Sequence, residues 1–193
     1  MNFILGVDEA GRGPLAGPLS IGVVSVPEDI DLLALFPTLN DSKQLTEKKR
    51  EKIFNELEAI KEEQGIRYVV LYEEADAIDE LGLTEVVRRS VWKGVEELLP
   101  VTSEGKVYLD GLLSAPPGYT QETVVGGDGL IPSIMLASIV AKVSRDRLMC
   151  EYAKSYPEYG FEKHKGYGTK AHYEAIEKNG LTPLHRRRFL KGL

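Results

Sequence analysis

Apolar and polar positions alternate between two regimes along this chain. Phe3 to Val7 is an apolar run that stops at Asp8-Glu9, and after the stretch GRGPLAGP a second apolar run, Ser20 to Val26, begins. Two such runs so close together predict an antiparallel pair of strands joined by a tight, Gly-rich connection. Beyond a Pro- and Asp-containing loop, Leu45, Ile53, Phe54, Leu57 and Ile60 recur near helical spacing and predict a helix that Gly65 ends. Ile66 to Tyr72, β-branched and aromatic, predicts a third strand, and Glu73 to Leu99 carries one short and one longer helical pattern around Gly82. Lys106 to Leu109 predicts a short buried strand that delivers Asp110 at its end. Leu112 to Thr120 reads as a loop, and Glu122 to Val125 as another strand before the break Gly126-Gly127-Asp128-Gly129. Pro132 opens a long helical pattern, apolar at its start and charged at its end, which predicts a buried first half and a solvated second half. A loop through Pro157 and Gly160, a helix from about Thr169 to the stop Asn179-Gly180, and a short last helix carrying HRRRF complete the pattern. Strands alternating with helices after an initial hairpin indicate an α/β domain with a mixed central sheet.

Composition narrows the class. The 193 residues are 42% hydrophobic and 28% charged, the balance of one soluble globular domain. A chain of this length buries roughly 70% of the surface its unfolded form exposes, so no metal or disulfide staple is needed. The single cysteine, Cys150, excludes an internal disulfide or a cysteine-rich zinc site and points to a reducing, cytoplasmic compartment. No apolar run reaches the ~18 residues of a membrane span, and the N-terminal run lacks the basic flank of a signal peptide. The formal net charge of −6 hides an asymmetry. Residues 140–193 hold 12 Lys/Arg against 6 Asp/Glu, net +6, whereas residues 1–139 hold 12 against 24, net −12. A basic quarter on an acidic body suits an anionic ligand gripped at one end, or simply a solvated basic face.

Four acids stand where strands or loops end: Asp8, Glu9, Asp110 and Asp128. An Asp closing an apolar strand lies at the sheet rim, where α/β proteins build their sites. Adjacent strand residues point to opposite faces, so Asp8 and Glu9 serve one site only if the chain leaves regular strand geometry between them. Carboxylates gathered together repel unless a cation compensates, and a hard divalent ion such as magnesium does so with oxygen ligands. Helix capping or pairing with Arg is the alternative use of each acid. The three His all fall in the last thirty residues, and none forms a metal-ligand pair with Cys, which disfavours zinc.

Other segments leave two uses open. The GRGPLAGP segment is neither a dinucleotide fingerprint nor a phosphate-binding P-loop; Gly11 and Gly13 offer close backbone approach to a ligand beside Arg12, or a plain tight turn. Ser138 and Lys142, four apart, share a helix face as phosphate contacts, as a nucleophile and base, or as an ordinary polar face. His164, Lys165, Tyr167, Thr169 and His172 interleave basic and aromatic groups, which suits sugar stacking with phosphate contact, although core packing of Tyr167 competes. Asp41-Ser42-Lys43 is a turn and helix start, with Lys43 also placed for an anion.

Taken together, GVDEAGRGPLAGP at residues 6–18, DSKQL at 41–45, YLDG at 108–111, GDGLIPSIMLASIVAKVSRDR at 127–147 and HKGYGTKAH at 164–172 resemble the ribonuclease HII family. The resemblance implies a ribonuclease H-like fold, a mixed five-stranded sheet flanked by helices. It implies one domain over residues 1–193, with a core to about residue 155 and a helical C-terminal segment from about 156. It also implies endonucleolytic cleavage of RNA in RNA/DNA hybrids and 5′ of single ribonucleotides embedded in duplex DNA, with roles in ribonucleotide excision repair and replication. Asp8, Glu9, Asp110 and Asp128 match the family's catalytic acids, which hold Mg2+ or Mn2+ in a two-metal mechanism leaving 3′-hydroxyl and 5′-phosphate ends. Gly11, Arg12 and Gly13 match the segment that reads the ribose 2′-hydroxyl, the group that distinguishes RNA from DNA. Tyr167 matches the tyrosine stacking on the neighbouring sugar, and Lys43, Ser138 and Lys142 match positions near backbone phosphates; Lys165 joins the substrate-binding set. A monomer without a membrane partner is expected.

Two departures stand out. Gly126 replaces the family's common Lys two residues before Asp128, and ADAIDELGLTEVVRRSVW differs from the family's usual wording before Trp92. Ala10-Gly11-Arg12, where the related ribonuclease HIII shows Ser-Gly-Lys, favours the HII branch. A structure-specific metal-dependent DNA nuclease and a catalytically silent hybrid-binding module are the competing functions.

Overall fold

A computed structural model describes residues 2–100 and 104–190. Five strands form one sheet in the order β3-β2-β1-β4-β5, built from β1 (Phe3–Ala10), β2 (Leu19–Pro27), β3 (Arg67–Glu73), β4 (Gly105–Asp110) and β5 (Thr120–Val124). β1 to β3 form an antiparallel meander, and β4 and β5 run parallel to β1, so the sheet is mixed as expected.

Side-chain alternation assigns the two faces. Leu5 and Val7 of β1 and Leu19, Ile21 and Val23 of β2 pack against α4 (Leu83–Leu98) through Val86, Val91 and Val95. The other face meets α5 (Pro132–Ser155) together with α2 (Glu47–Ile60), where Val24 and Val26 join Phe54, Leu57, Leu136 and Val140. α5 lies close on the sheet because Gly6 and Gly22 have no side chain there. A Cβ on Gly6 would strike the Ser133 carbonyl, and one on Gly22 the Ala137 carbonyl. Thr46 caps α2 by accepting from the Lys49 amide.

Several boundaries differ from the sequence expectation. β1 continues past Val7 to Ala10, because β2 supplies a partner for every residue up to the pair Ala10↔Ser20. A short helix, α1 (Leu32–Leu35), capped by Asp31, occupies the stretch read as a loop. The last short helix is only a 3-10 turn, Arg187–Phe189.

The second half of α5 is solvated on one side only: Arg147, Glu151, Lys154 and Ser155 are exposed, whereas Arg145, Asp146, Met149 and Ala153 are buried. The chain folds back over it through a 3-10 turn at Pro157–Tyr159, α6 (Phe161–His164) and α7 (Lys170–Asn179). Tyr159, Phe161, Ala175 and Ile176 form an apolar cluster with Met149, Leu15 and Ala16. The short helix α3 (Ala75–Leu81) completes the elements, and no described helix is long and apolar enough to cross a membrane.

Candidate active site

The parallel ladder between β1 and β4 stops at Val7↔Leu109, so beyond that pair β1 has no neighbour on its β4 side. Into this open rim come Asp8 and Glu9 from β1 and Asp110 from the end of β4. With Gly11, Arg12, Gly13, Ser42, Lys43, Arg50, Ser138, Lys142 and Tyr167 they line a cavity of about 260 Å³. The expected departure from strand geometry between Asp8 and Glu9 does not occur. Both residues are regularly paired, Asp8↔Gly22 and Glu9↔Ile21, and the truncated ladder lets side chains of both faces border one space.

Asp8 is almost fully buried on the α5 face. Burial pushes its carboxyl up to about 8; the Ser138 hydroxyl opposes the shift, while Glu9 and Asp110 add to it by repulsion. Its Oδ1 accepts from the Glu9 amide at 2.7 Å. Burial also raises Glu9, against the pull of Arg12, whose Nη1 lies 3.1 Å from Glu9 Oε1. The other carboxylate oxygen of Glu9, Oε2, is buried with no hydrogen-bond partner among the described residues.

Asp128 lies on a 3-10 turn, Gly127–Gly129, whose start, Gly126, has φ 69°. Its amide donates to Asp110 Oδ1 at 3.3 Å, and its Oδ2 accepts from Lys43 Nζ at 2.7 Å. The cation that Gly126 cannot supply beside the fourth acid is thus provided by Lys43.

Basic groups line the opposite wall. Ser138 Oγ meets Ser42 Oγ at 2.7 Å, whereas Lys142 Nζ binds Asp146 Oδ1 at 2.6 Å, so Ser138 and Lys142 share a face without forming a serine–lysine dyad. Arg50 donates to the Ser42 carbonyl at 2.9 Å and lies 4.0 Å from Asp146. Tyr167 is about two-fifths exposed at the rim, with the Arg145 guanidinium 5.8 Å from its ring centre. Gly11, at φ 89°, is a position where a Cβ would run into Arg145 Nε.

Lys165 does not join this wall. Its ammonium donates to the Glu162 carbonyl and pairs with Glu47 at 3.7 Å, and its own φ of 52° closes α6. Ser42, Arg50 and Asp146 were not singled out from sequence. Ser42 stood in the DSKQL motif, but nothing in the pattern set Arg50 or Asp146 apart from ordinary helix-surface charges.

Among the described residues no three His, Cys, Asp or Glu converge closely enough to form a complete cage for a metal. The donors present nevertheless suit a hard cation. Three carboxylates face one space, two of them with raised pKa, and Glu9 keeps a buried oxygen unpartnered. Magnesium-type ions take one or two carboxylates and complete their shell with water and substrate phosphate, which an open rim allows.

Known proteins resemble this chain in sequence and in fold. The family model for ribonuclease HII matches residues 5–191. Ribonuclease HII of Endomicrobium trichonymphae is 47% identical over 188 residues, covering 96% of this chain and 84% of that protein. The crystal structure of ribonuclease H2 from Pyrococcus horikoshii OT3 superposes with a TM-score of 0.78 at 29% identity, covering 98% of this chain and all of that one. A ribonuclease HIII, Bst-RNase HIII, solved in complex with Mn2+, shares the fold with a TM-score of 0.67 at 18% identity, covering 96% of this chain and 66% of that one.

Proposed function

The chain belongs to the ribonuclease HII family, and from that premise we propose that it is a divalent-metal-dependent endonuclease. It hydrolyses the RNA strand of RNA/DNA hybrids and cuts 5′ of single ribonucleotides embedded in duplex DNA. The observation that carries this reading is the meeting of Asp8, Glu9 and Asp110 with the Gly11–Gly13 loop and Tyr167 around one cavity. Carboxylates for phosphoester chemistry and a backbone loop able to approach a ribose lie within the reach of one nucleotide.

Magnesium or manganese, two ions in this reading, would be held by Asp8, Glu9, Asp110 and Asp128, and would supply an activated water and charge neutralisation at the leaving 3′-oxygen. The chain's own groups do the rest. Lys43, Arg50 and Lys142 line the cavity with positive charge and draw the backbone phosphates to the acids. Gly13, where the position of a Cβ meets nothing nearer than the Tyr167 ring, leaves room for a sugar to approach the backbone closely enough for its 2′-hydroxyl to be hydrogen-bonded, whereas the space beside Gly11 is taken by Arg145. A 2′-hydroxyl that is read in this way is a recognition group and not the nucleophile, so the products carry a 3′-hydroxyl and a 5′-phosphate. The exposure of Tyr167 at the rim supports its stacking on the next sugar.

The packing of Leu15 and Ala16 with residues of α7 supports a single nuclease unit over the whole length, with the C-terminal segment serving the core.

The test is cleavage of a labelled duplex carrying one ribonucleotide against its all-DNA twin, with magnesium, manganese or chelator. Metal-dependent cutting on the 5′ side of the ribonucleotide alone is expected. Cutting of both duplexes would indicate a general DNA nuclease, and binding without cutting a silent hybrid-binding module.

A further inference from the structure

Two fully buried arginines, Arg145 and Arg186, form no salt bridge among the described residues, and carboxylates reach them only at longer range. Arg145 donates to the carbonyls of Pro18 at 2.8 Å, Lys165 at 3.0 Å and Ala16 at 3.3 Å. Arg186 donates through Nε and Nη2 to the Gly17 carbonyl at 3.0 and 2.8 Å, and through Nη1 to the Arg12 carbonyl at 3.0 Å. Burying a guanidinium among neutral carbonyls costs free energy that an apolar residue would not incur. A fork of fixed donors is, however, what can pin several carbonyls of an irregular loop at once. Among the described residues Gly11 to Pro18 has no partner strand apart from the bridge Ala16↔His185, so its shape depends on such outside bonds.

The residue next to Arg186 reaches the other side of the cavity. Thr182 donates its amide to His185 Nδ1 at 2.9 Å, which leaves the proton of His185 on Nε2. That nitrogen lies 3.2 Å from His172 Nε2, and His172 Nδ1 lies 3.0 Å from the Tyr167 carbonyl. Only one proton assignment satisfies every atom: His185 Nε2–H donates to His172, and His172 Nδ1–H donates to Tyr167. Both rings are fully buried, and both stay neutral for this pattern to hold. Backbone bonds from Arg186 to the Leu15 carbonyl and from Gly17 to the Leu184 carbonyl, each 2.8 Å, tie the same stretch to the loop.

We propose that the dipeptide His185-Arg186 is the positioning element for ribonucleotide recognition: Arg186 sets the Gly11–Gly13 loop through the Arg12 carbonyl, and His185 sets Tyr167 through His172. One short segment then holds both walls between which the ribonucleotide lies, at a fixed separation. Neither residue lines the cavity, so neither is a catalytic residue. This inference rests on the ribonuclease reading above and adds residues that act behind the loop and the tyrosine.

The test compares KM for cleavage of a single-ribonucleotide duplex with the inhibition constant of its all-DNA twin in the same magnesium assay. The ratio of the two measures preference for the ribose. Arg186→Met is expected to lower that preference at least tenfold while the inhibition constant of the DNA twin changes less than twofold. Arg186→Lys, which keeps the charge but loses the fork, is expected to fall between. His185→Leu is expected to lower the preference as well, and His185→Gln, whose amide can still donate to His172, to restore part of it. Should Arg186→Met fail to fold, Arg186→Lys decides. Unchanged preference in the folded lysine variant, or ribose and DNA affinities falling together, overturns the proposal. Absence of any preference in the unaltered protein overturns the ribonuclease reading itself, and this inference with it.

Discussion

The ammonium of Lys43 rests 2.7 Å from Oδ2 of Asp128, and its side chain is three-quarters exposed whereas that of Asp128 is buried. An exposed lysine beside a buried carboxylate is a replaceable counter-ion. The hydrogen bond that Lys43 donates to Asp128 holds the Lys43 pKa above its ordinary value, so the ammonium stays charged at neutral pH. A divalent ion taking Oδ2 of Asp128 would displace that ammonium, which is then free to meet a phosphate. Lys43→Met is therefore expected to tighten manganese binding by up to about fivefold, the equivalent of roughly 1 kcal/mol for an exposed pair, while raising KM for the hybrid. Manganese titration followed by electron paramagnetic resonance, alongside steady-state kinetics, checks both halves. Weaker manganese binding would show that Lys43 assists the metal rather than competing with it.

Asp8→Asn and Asp110→Asn are each expected to abolish cleavage while leaving the fold intact. Asp8 is raised from 3.8 to about 8, chiefly by burial. A raised carboxyl pKa means that the folded state holds its proton longer than the unfolded one. Its contribution is present below the unfolded pKa and is lost as pH rises towards 8. In chelator at pH 9, Asp8→Asn is accordingly expected to melt at or above the temperature of the parent protein. A large fall in melting temperature would mean that Asp8 supports the fold rather than the chemistry.

The histidine pair titrates with the opposite sign. Burial depresses the pKa of His185 from 6.5 to about 4, the neighbouring His172 adding to the effect, and His172 is lowered as well, again chiefly by burial. The unfolded chain therefore takes up protons that the folded one refuses, and stability is lost as pH falls from about 6.5 towards 4. A loss on the order of 1–3 kcal/mol across that window is expected. Denaturant unfolding at pH 7 and pH 5 measures it. His185→Gln should flatten the dependence, and an unchanged slope would place the titration elsewhere.

Tyr167→Ala is expected to reduce cleavage at an isolated ribonucleotide by about tenfold, the scale of one lost stacking contact. The Tyr167 carbonyl, not its ring, carries the bond from His172, so the loop should persist after truncation. Equal rates for parent and variant on the single-ribonucleotide duplex would remove the ring from substrate contact.

Much of this architecture was legible from side-chain pattern. The hairpin of β1 and β2, the strand that ends at Asp110 and the long helix after Pro132 each follow from local periodicity and from glycine or proline at their ends, which are properties of neighbours in sequence. The four acids were visible for a related reason, since each stands where a strand or loop ends, although capping a helix or pairing with Arg was an equal use for any one of them. What the pattern did not reveal depends on residues far apart in the chain. β1 runs on to Ala10 because β2 pairs with it, and one side of the second half of α5 is covered because residues 157–190 return over it.

Tertiary structure alone decided which charged side chains are exposed. Lys165, in a basic and aromatic motif, turns away from the cavity to Glu162 and Glu47. Arg145 and Arg186, indistinguishable in sequence from the exposed Arg147 and Arg188 beside them, lie fully buried against the carbonyls of the Gly11–Pro18 loop. Sequence determined the elements and the chemistry at their ends, because periodicity and turn residues act within a few positions. The fold decided the partners of those charges, because a guanidinium can be buried only where a distant stretch of backbone offers it enough carbonyls.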